Sequence, residues 1–255
     1  MKAPVVELIK TFVSDYNRGD LIQSEWKEPL VRFASAADSL FPKLKEITHP
    51  THAVPSDFLP KAKTVIAYFL PFSTNIVRSN VQGRYSSPEW CAAYIETNEL
   101  ILRINTCLKE WFEARGYKGV LIPATHNWDV EKLISDWSHR SVAYIAGLGT
   151  FGLNNMLITE KGCCGRFGSF ITDAEIPADD RPEGEACLHK YNGTCGVCVK
   201  RCVNDALKTD SFDRFACYEM CLENERQNRN LGYADVCGKC LVGLPCSERN
   251  PVNKG

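Results

Sequence analysis

A mixed α/β domain over residues 1–175, followed by a small metal-held domain over residues 176–255, is what this sequence predicts, on three observations. Hydrophobic residues make up 44% and aromatics 10% of the 255 residues, enough for a chain that buries a substantial core. Strand and helix patterns alternate through the first two thirds. Nine of the 13 cysteines then crowd between Cys187 and the chain end. In a reducing compartment such a cluster signals metal ligation before disulfides.

The elements follow in order. Val5–Tyr16 reads as a helix. KTVIAYFLPF (Lys63–Phe72) is apolar on both faces, as in a fully buried strand, and Pro71 ends it. From Leu100 to Phe112, apolar residues at 101, 104, 108 and 111 draw the stripe of an amphipathic helix, which Gly116 stops. GVLIPAT (Gly119–Thr125) is the next strand, so strand, long helix and strand predict a βαβ-like layer. His126, Asp129, Asp136 and His139 lie between this strand and a glycine loop. His126, Asp136 and His139 are candidate proton donors. Each also fits a surface or capping role, and Asp136 just precedes a helix start. WSHRSVAYIA has a capping Ser138 and a helical face at Val142 and Ile145, and Gly147 is its stop.

Residues 147–152, GLGTFG, match G-x-G-x-x-G, with Asp173 placed 21 residues on. A dinucleotide-binding turn needs a strand before that motif and a helix after it. Here the order is reversed: a helix precedes, and two short strands (Met156–Thr159 and Phe167–Thr172) follow around a glycine-rich turn. The glycines either admit a large flat group or simply allow a tight turn against the core. Cys91 and Cys107 read as small core residues, and Cys163 and Cys164 as thiols on the turn.

A formal net charge of −1 gives no sign of a nucleic-acid surface. The start, MKAPVVELIK, lacks the pattern of a secretory signal or twin-arginine leader, and no stretch approaches the length needed to span a bilayer. A cytoplasmic protein without membrane association is expected.

The cysteines carry most of the information. CGVCVKRC holds Cys195, Cys198 and Cys202; FACYEMC holds Cys217 and Cys221; VCGKCLVGLPC holds Cys237, Cys240 and Cys246; Cys187 stands upstream. Paired zinc ribbons use shorter gaps than the 38 residues between Cys198 and Cys237, and do not need the extra Cys202 and Cys246. Two [4Fe–4S] clusters account for these two extra cysteines. In two-cluster ferredoxins the run is C-x2-C-x2-C-x3-C-P, and its last cysteine ligates the other cluster. Here C-x2-C-x3-C is intact, but Asn192 stands where the run should begin, so Cys187 must reach in by folding back the HKYNGT loop. The second run is irregular, with five residues between Cys240 and Cys246. By the crossing rule, Cys187, Cys195, Cys198 and Cys246 form one set. Cys202, Cys237, Cys240 and either Cys217 or Cys221, with Cys217 favoured, form the other. Zinc, or one cluster plus zinc, is the alternative.

The succession of KTVIAYFLPF, SHRSVAYIAGLGTFGLNNMLIT, RFGSFITD and a two-cluster cysteine module resembles the epoxyqueuosine reductase and reductive dehalogenase superfamily. The resemblance is firmest from Trp137 to Cys246, and is closest to short epoxyqueuosine reductase-like iron–sulfur proteins. It implies a nitroreductase-like α/β domain that holds cobalamin, and a ferredoxin-like domain that feeds it electrons from an external donor such as a ferredoxin or flavodoxin. By that likeness Gly147, Gly149, Gly152 and Ser169 approach the corrin.

Departures bear on the substrate. The segment matching the family's acid-bearing strand end reads Pro123-Ala124-Thr125, and the chain ends nine residues after Cys246, without the helical extension used for tRNA. A small-molecule or corrinoid substrate, and no tRNA partner, is therefore the expectation. Three functions stay open: an oxidoreductase with its own cofactor chemistry, an electron relay to a partner, or a binding module in which the metal is structural.

Overall fold

The computed structural model describes residues 1–20, 22–123, 128–129 and 131–252. Its elements begin with α1 (Lys2–Tyr16), β1 (Leu30–Ser35), α2 (Leu40–Ile47), α3 (Pro55–Phe58), β2 (Thr64–Pro71) and α4 (Thr74–Ser79). Next come α5 (Pro88–Glu113), β3 (Gly119–Leu121), β4 (Trp128–Asp129), β5 (Ile134–Ser135), α6 (His139–Ile145), β6 (Thr150–Phe151), β7 (Leu157–Ile158) and β8 (Gly165–Thr172). The cysteine-rich part carries α7 (Leu188–Asn192), α8 (Val197–Arg201) and α9 (Arg214–Gln227). The mixed α/β class expected from the sequence is present.

The main sheet has the order β1-β2-β8-β3, and every neighbouring pair is antiparallel. The strand–helix–strand crossover over α5 exists, but its strands are not neighbours. Both pair with β8, so β2 and β3 run parallel to each other with β8 between them. The two strands expected to form a hairpin also part company. β7 pairs with β6, β8 joins the main sheet, and an isolated bridge joins Thr159 to Gly162.

Helices cover both faces of this sheet, which is why β2 reads as unbroken apolar sequence. All eight of its residues are buried. Ile66, Tyr68 and Leu70 share an apolar cluster with Val5, Ile9 and Val13 of α1 and Leu100, Ile104 and Leu108 of α5. Val65, Ala67 and Phe69 lie in a second cluster with Phe41 of α2 and Val142 and Ile145 of α6. This alternation is the period of two of a strand packed on both sides. Helix α5 starts twelve residues before the stripe visible in sequence. Ser87 caps it by accepting from Trp90 N, and Pro88 occupies the first turn, where its missing N–H costs nothing.

The first apolar cluster does not stop at the α/β layers. It extends to Cys187, Leu241 and Val242 of the cysteine-rich part. Polar contacts reinforce the junction: Glu248 accepts from Lys27 Nζ at 2.7 Å and from Thr74 Oγ1 at 2.6 Å, and Tyr94 donates to Asp235 at 2.6 Å. Among the described residues no helix is long and apolar enough to cross a membrane.

The glycine loop is held tightly against its surroundings. Gly147 ends α6 at φ +85°, a left-handed conformation in which a side chain is strained. A Cβ on Gly149 would lie 2.1 Å from the Ile158 carbonyl oxygen. Gly149→Ala must therefore push β7 away, and is expected to cost about 2–3 kcal/mol. Thermal melting should show a fall of several degrees; an unchanged melt would mean that the loop is not packed in this way.

Candidate functional site: two cysteine groups

The HKYNGT loop does fold back. Helix α7 begins directly after Cys187 and ends at Gly193, whose φ of +74° lets its N–H bond to His189 O. The returning chain places His189 Nδ1 2.9 Å from Cys195 O. Cys187, Cys195, Cys198 and Cys246 then line one small pocket, a cavity of about 20 Å³ walled by Leu153, Ile158 and Leu188. Burial first, and then the neighbouring Cys246, Cys187 and Cys195, push the Cys198 thiol up to about 11.

A second group gathers around α9 and the 237–240 loop. Burial raises Cys237 to about 11, with Cys217 and Cys202 adding to it. Cys240 is raised by burial and then by Cys237, Cys217, Cys202 and Cys198. Cys202 thus faces the second group, although it closes the run that begins at Cys195. Cys217 and Cys221 lie one turn apart on α9. Their interaction lowers the Cys217 pKa, helped by Arg140, and raises that of Cys221.

Both groups have the donor chemistry of an iron–sulfur centre. Thiols buried together hold one another protonated, and a cationic centre reverses that by stabilising the thiolates. Among the described residues no three His, Cys, Asp or Glu side chains converge on a single metal ion. Around the second group stand unpaired donors. Trp90 Nε1 and Asn224 Nδ2 are buried without a hydrogen-bond partner. The Trp90 indole packs against Gly238, between Cys237 and Cys240, where its nitrogen lies 2.6 Å from the position of a Cβ. A buried orphaned donor needs an acceptor, and thiolate or sulfide sulfur supplies one. Lys239 is also buried there, and donates to Asn80 O at 2.9 Å and Gln82 O at 2.7 Å.

The other expected site residues are placed differently. Ser169 is enclosed: Trp137 Nε1 donates to its Oγ at 3.0 Å, and its Oγ lies 2.8 Å from His139 Nδ1. His139 Nε2 lies 2.9 Å from Pro123 O. A carbonyl can only accept, so Nε2 carries the proton, Nδ1 accepts from Ser169, and the ring is neutral. Burial holds the His139 pKa at about 4. Asp136 sits on the surface, accepting from Thr51 Oγ1, and its backbone oxygen takes Ala53 N–H at 2.7 Å. Among the described residues no hydrogen bond joins Asp136 to His139, and His126 lies outside the described residues. At Gly147, Gly149 and Gly152 the missing side chains face the protein itself: Asp180 O, Ile158 O and Asn154 Oδ1. Each of these three positions therefore has to be glycine.

Sequence reasoning missed Trp90, Asn224 and Arg140. Arg140 follows His139 on α6 and donates to Asn155 O at 2.6 Å. Although exposed, it is crowded enough that burial lowers its pKa, with Cys217 opposing. No local signal ties Trp90 or Arg140 to a cysteine 77 or more residues away, and Asn224 reads only as a polar position on a helix.

Fold and cysteine arrangement together define a class: a mixed α/β protein whose C-terminal part brings nine thiols into two groups against the same core. No family model and no curated protein matches the sequence. Solved structures do match. A selenomethionine-labelled epoxyqueuosine reductase aligns with a TM-score of 0.58 and 18% identity over 95% of this chain. The enzyme from Streptococcus thermophilus aligns with a TM-score of 0.56 and 17% identity over 99%. This chain spans 66% and 68% of those two proteins. It thus has the fold of the epoxyqueuosine reductases, and the resemblance seen in the sequence holds at that level.

A third match, at a TM-score of 0.54 and 18% identity, is epoxyqueuosine reductase with an epoxyqueuosine-modified tRNA stem loop; it aligns over 98% of this chain and 65% of its own. This overturns the expectation of a small-molecule or corrinoid substrate and no tRNA partner. That expectation rested on a whole-chain charge and on the chain's end, and neither describes a local surface.

Proposed function

We propose that the chain is an iron–sulfur oxidoreductase of the epoxyqueuosine reductase type, acting on epoxyqueuosine-modified tRNA. The observation that carries this is the convergence of eight cysteines into two groups on a fold shared with those enzymes. Cys187, Cys195, Cys198 and Cys246 would hold one [4Fe–4S] centre, and Cys202, Cys217, Cys237 and Cys240 the other. When bound, each supplies one-electron transfer, and two together match the two electrons that reduction of an epoxide consumes. Leu153, Ile158 and Leu188 keep water from the first set; Lys239, held by two backbone carbonyls, fixes the 80–82 turn beside the second. No step through a corrin is part of this function as proposed.

The test is direct. Protein loaded with iron and sulfide without oxygen is given a chemical reductant and an epoxyqueuosine-modified tRNA stem loop, with and without cobalamin. The expected result is about eight irons per chain and a reduced nucleoside, read by mass spectrometry. Cobalamin titration, followed by corrin absorbance, shows whether that group belongs to the reaction. A second function, electron relay to a partner protein, is favoured by the absence of an acid in the Pro123-Ala124-Thr125 segment. Eight irons, reversible reduction and unaltered tRNA would select it.

A further inference from the structure

We propose that His52, which no part of the function above uses, is an acid-released latch that fixes the start of α6. The device lies wholly in the α/β part and stands whatever the cysteines bind. Residues 51–54 lie between α2 and α3 and grip residues 136–138, which lead into α6. Thr51 Oγ1 donates to the Asp136 carboxylate, and Ala53 N donates to Asp136 O at 2.7 Å. Between these two contacts His52 is fully buried, its ring 6.1 Å from that of Trp137. Ser138, the N-cap of α6, donates its main-chain N–H to His52 Nε2 at 3.2 Å.

The chemistry of the ring makes this contact conditional. His52 Nδ1 lies 2.8 Å from Ala53 O. A carbonyl only accepts, so Nδ1 carries the proton, and Nε2 accepts from Ser138 only while it holds none. A second proton would set two donors, Nε2–H and the Ser138 N–H, face to face inside the fold and leave the amide unpaired. The main-chain bond of Ala53 carries no such condition, so the ring is the part of the grip that reads pH. Burial, above all, holds the His52 pKa below the ordinary histidine range. The bond to Ala53 O and the charge of Asp136, on the gripped segment, favour the proton, and Lys45 of α2 opposes it. His49, exposed on the same segment as His52, lies 2.8 Å from Thr51 Oγ1. The latch therefore holds at neutral pH and weakens as pH falls below about 6.5. Helix α6 carries His139 in its first turn and ends at the glycine loop, so the grip on its first residue sets where both stand.

Hydrogen exchange of the Ser138 amide, corrected for the intrinsic pH dependence of exchange, is measured at pH 7.5 and 5 in wild-type protein, His52→Gln and His52→Leu. The amides of β2 serve as the internal control. The glutamine oxygen accepts from Ser138 and does not titrate, whereas leucine offers no acceptor. All three proteins keep His139, so its titration is common to them. In wild type the protection of Ser138 is expected to fall between pH 7.5 and 5 by up to about tenfold, the equivalent of one pKa unit, while β2 stays protected. His52→Gln should hold Ser138 at both values, and His52→Leu should expose it at both. If His52→Leu does not fold, wild type and His52→Gln carry the comparison. Nitrogen magnetic resonance of wild type at pH 7.5 should show His52 protonated at Nδ1 and bare at Nε2, which needs no variant. The opposite tautomer overturns the proposal. So does Ser138 protection that falls no more than that of β2, or that falls equally in wild type and His52→Gln.

Discussion

Cys202→Ser is expected to empty the centre around Cys237 and Cys240 and to leave that around Cys195 and Cys198 loaded. Iron should fall from about eight to about four per chain. Sequence proximity argues the opposite, because Cys202 lies four residues after Cys198. The structure separates the two. Cys198 sits within α8 and lines the pocket of Cys187, Cys195 and Cys246, whereas Cys202 follows the helix in an extended conformation and, unlike Cys198, acts on Cys237. Serine keeps the volume and removes the soft ligand. Iron counts, with spectra that distinguish the centres by comparison with Cys195→Ser, check this. Loss of the Cys195 and Cys198 centre alone would show that the sets do not cross.

Acidification is expected to weaken the fold between about pH 6.5 and 4, and His139 is a principal cause. In the unfolded chain a histidine titrates near 6.5. In the fold, burial holds His139 at about 4. Between these values the unfolded chain binds the extra proton and the folded chain does not, so stability falls as pH falls. Above the unfolded pKa that penalty is absent. The difference of about 2.5 units sets an upper bound of roughly 3 kcal/mol for this group. Protonation would also put a second proton on Nδ1, which now accepts from Ser169. His52 adds to the trend in the same direction, since burial lowers its pKa too. His139→Gln should flatten part of the slope in denaturant titrations at pH 7.5, 6 and 5. Equal slopes in both proteins would place the acid sensitivity elsewhere.

Much of this was legible because it is local. Lys63–Phe72 announces a doubly buried strand by composition alone, Ser138 and Gly147 bracket α6 as caps do, and the spacing of Cys195, Cys198 and Cys202 carries the crossing expectation. The rest depends on long-range pairing. Nothing near Gly165–Thr172 says that it inserts between β2 and β3, because apolar strands carry no address. Cys163 and Cys164 look like thiols on a turn; they are buried because the chain around Leu241–Ser247 closes over them. His139 looks like a candidate acid until Trp137, Ser169 and Pro123 are seen around it. A whole-chain charge of −1 likewise sums over surfaces that act separately.

Leu241 and Val242 stand between Cys240 and Cys246 in sequence and belong to the same apolar cluster as α1 and α5. The segment that would grip the metal is therefore also a stopper in the core. Under the proposed function, a chain that has lost its iron releases both ends of that segment and bares oily surface that the loaded chain hides. Metal status becomes a property of the protein's exterior. Cellular machinery that recognises only greasy, half-closed chains could then sort empty copies from filled ones without ever sensing iron.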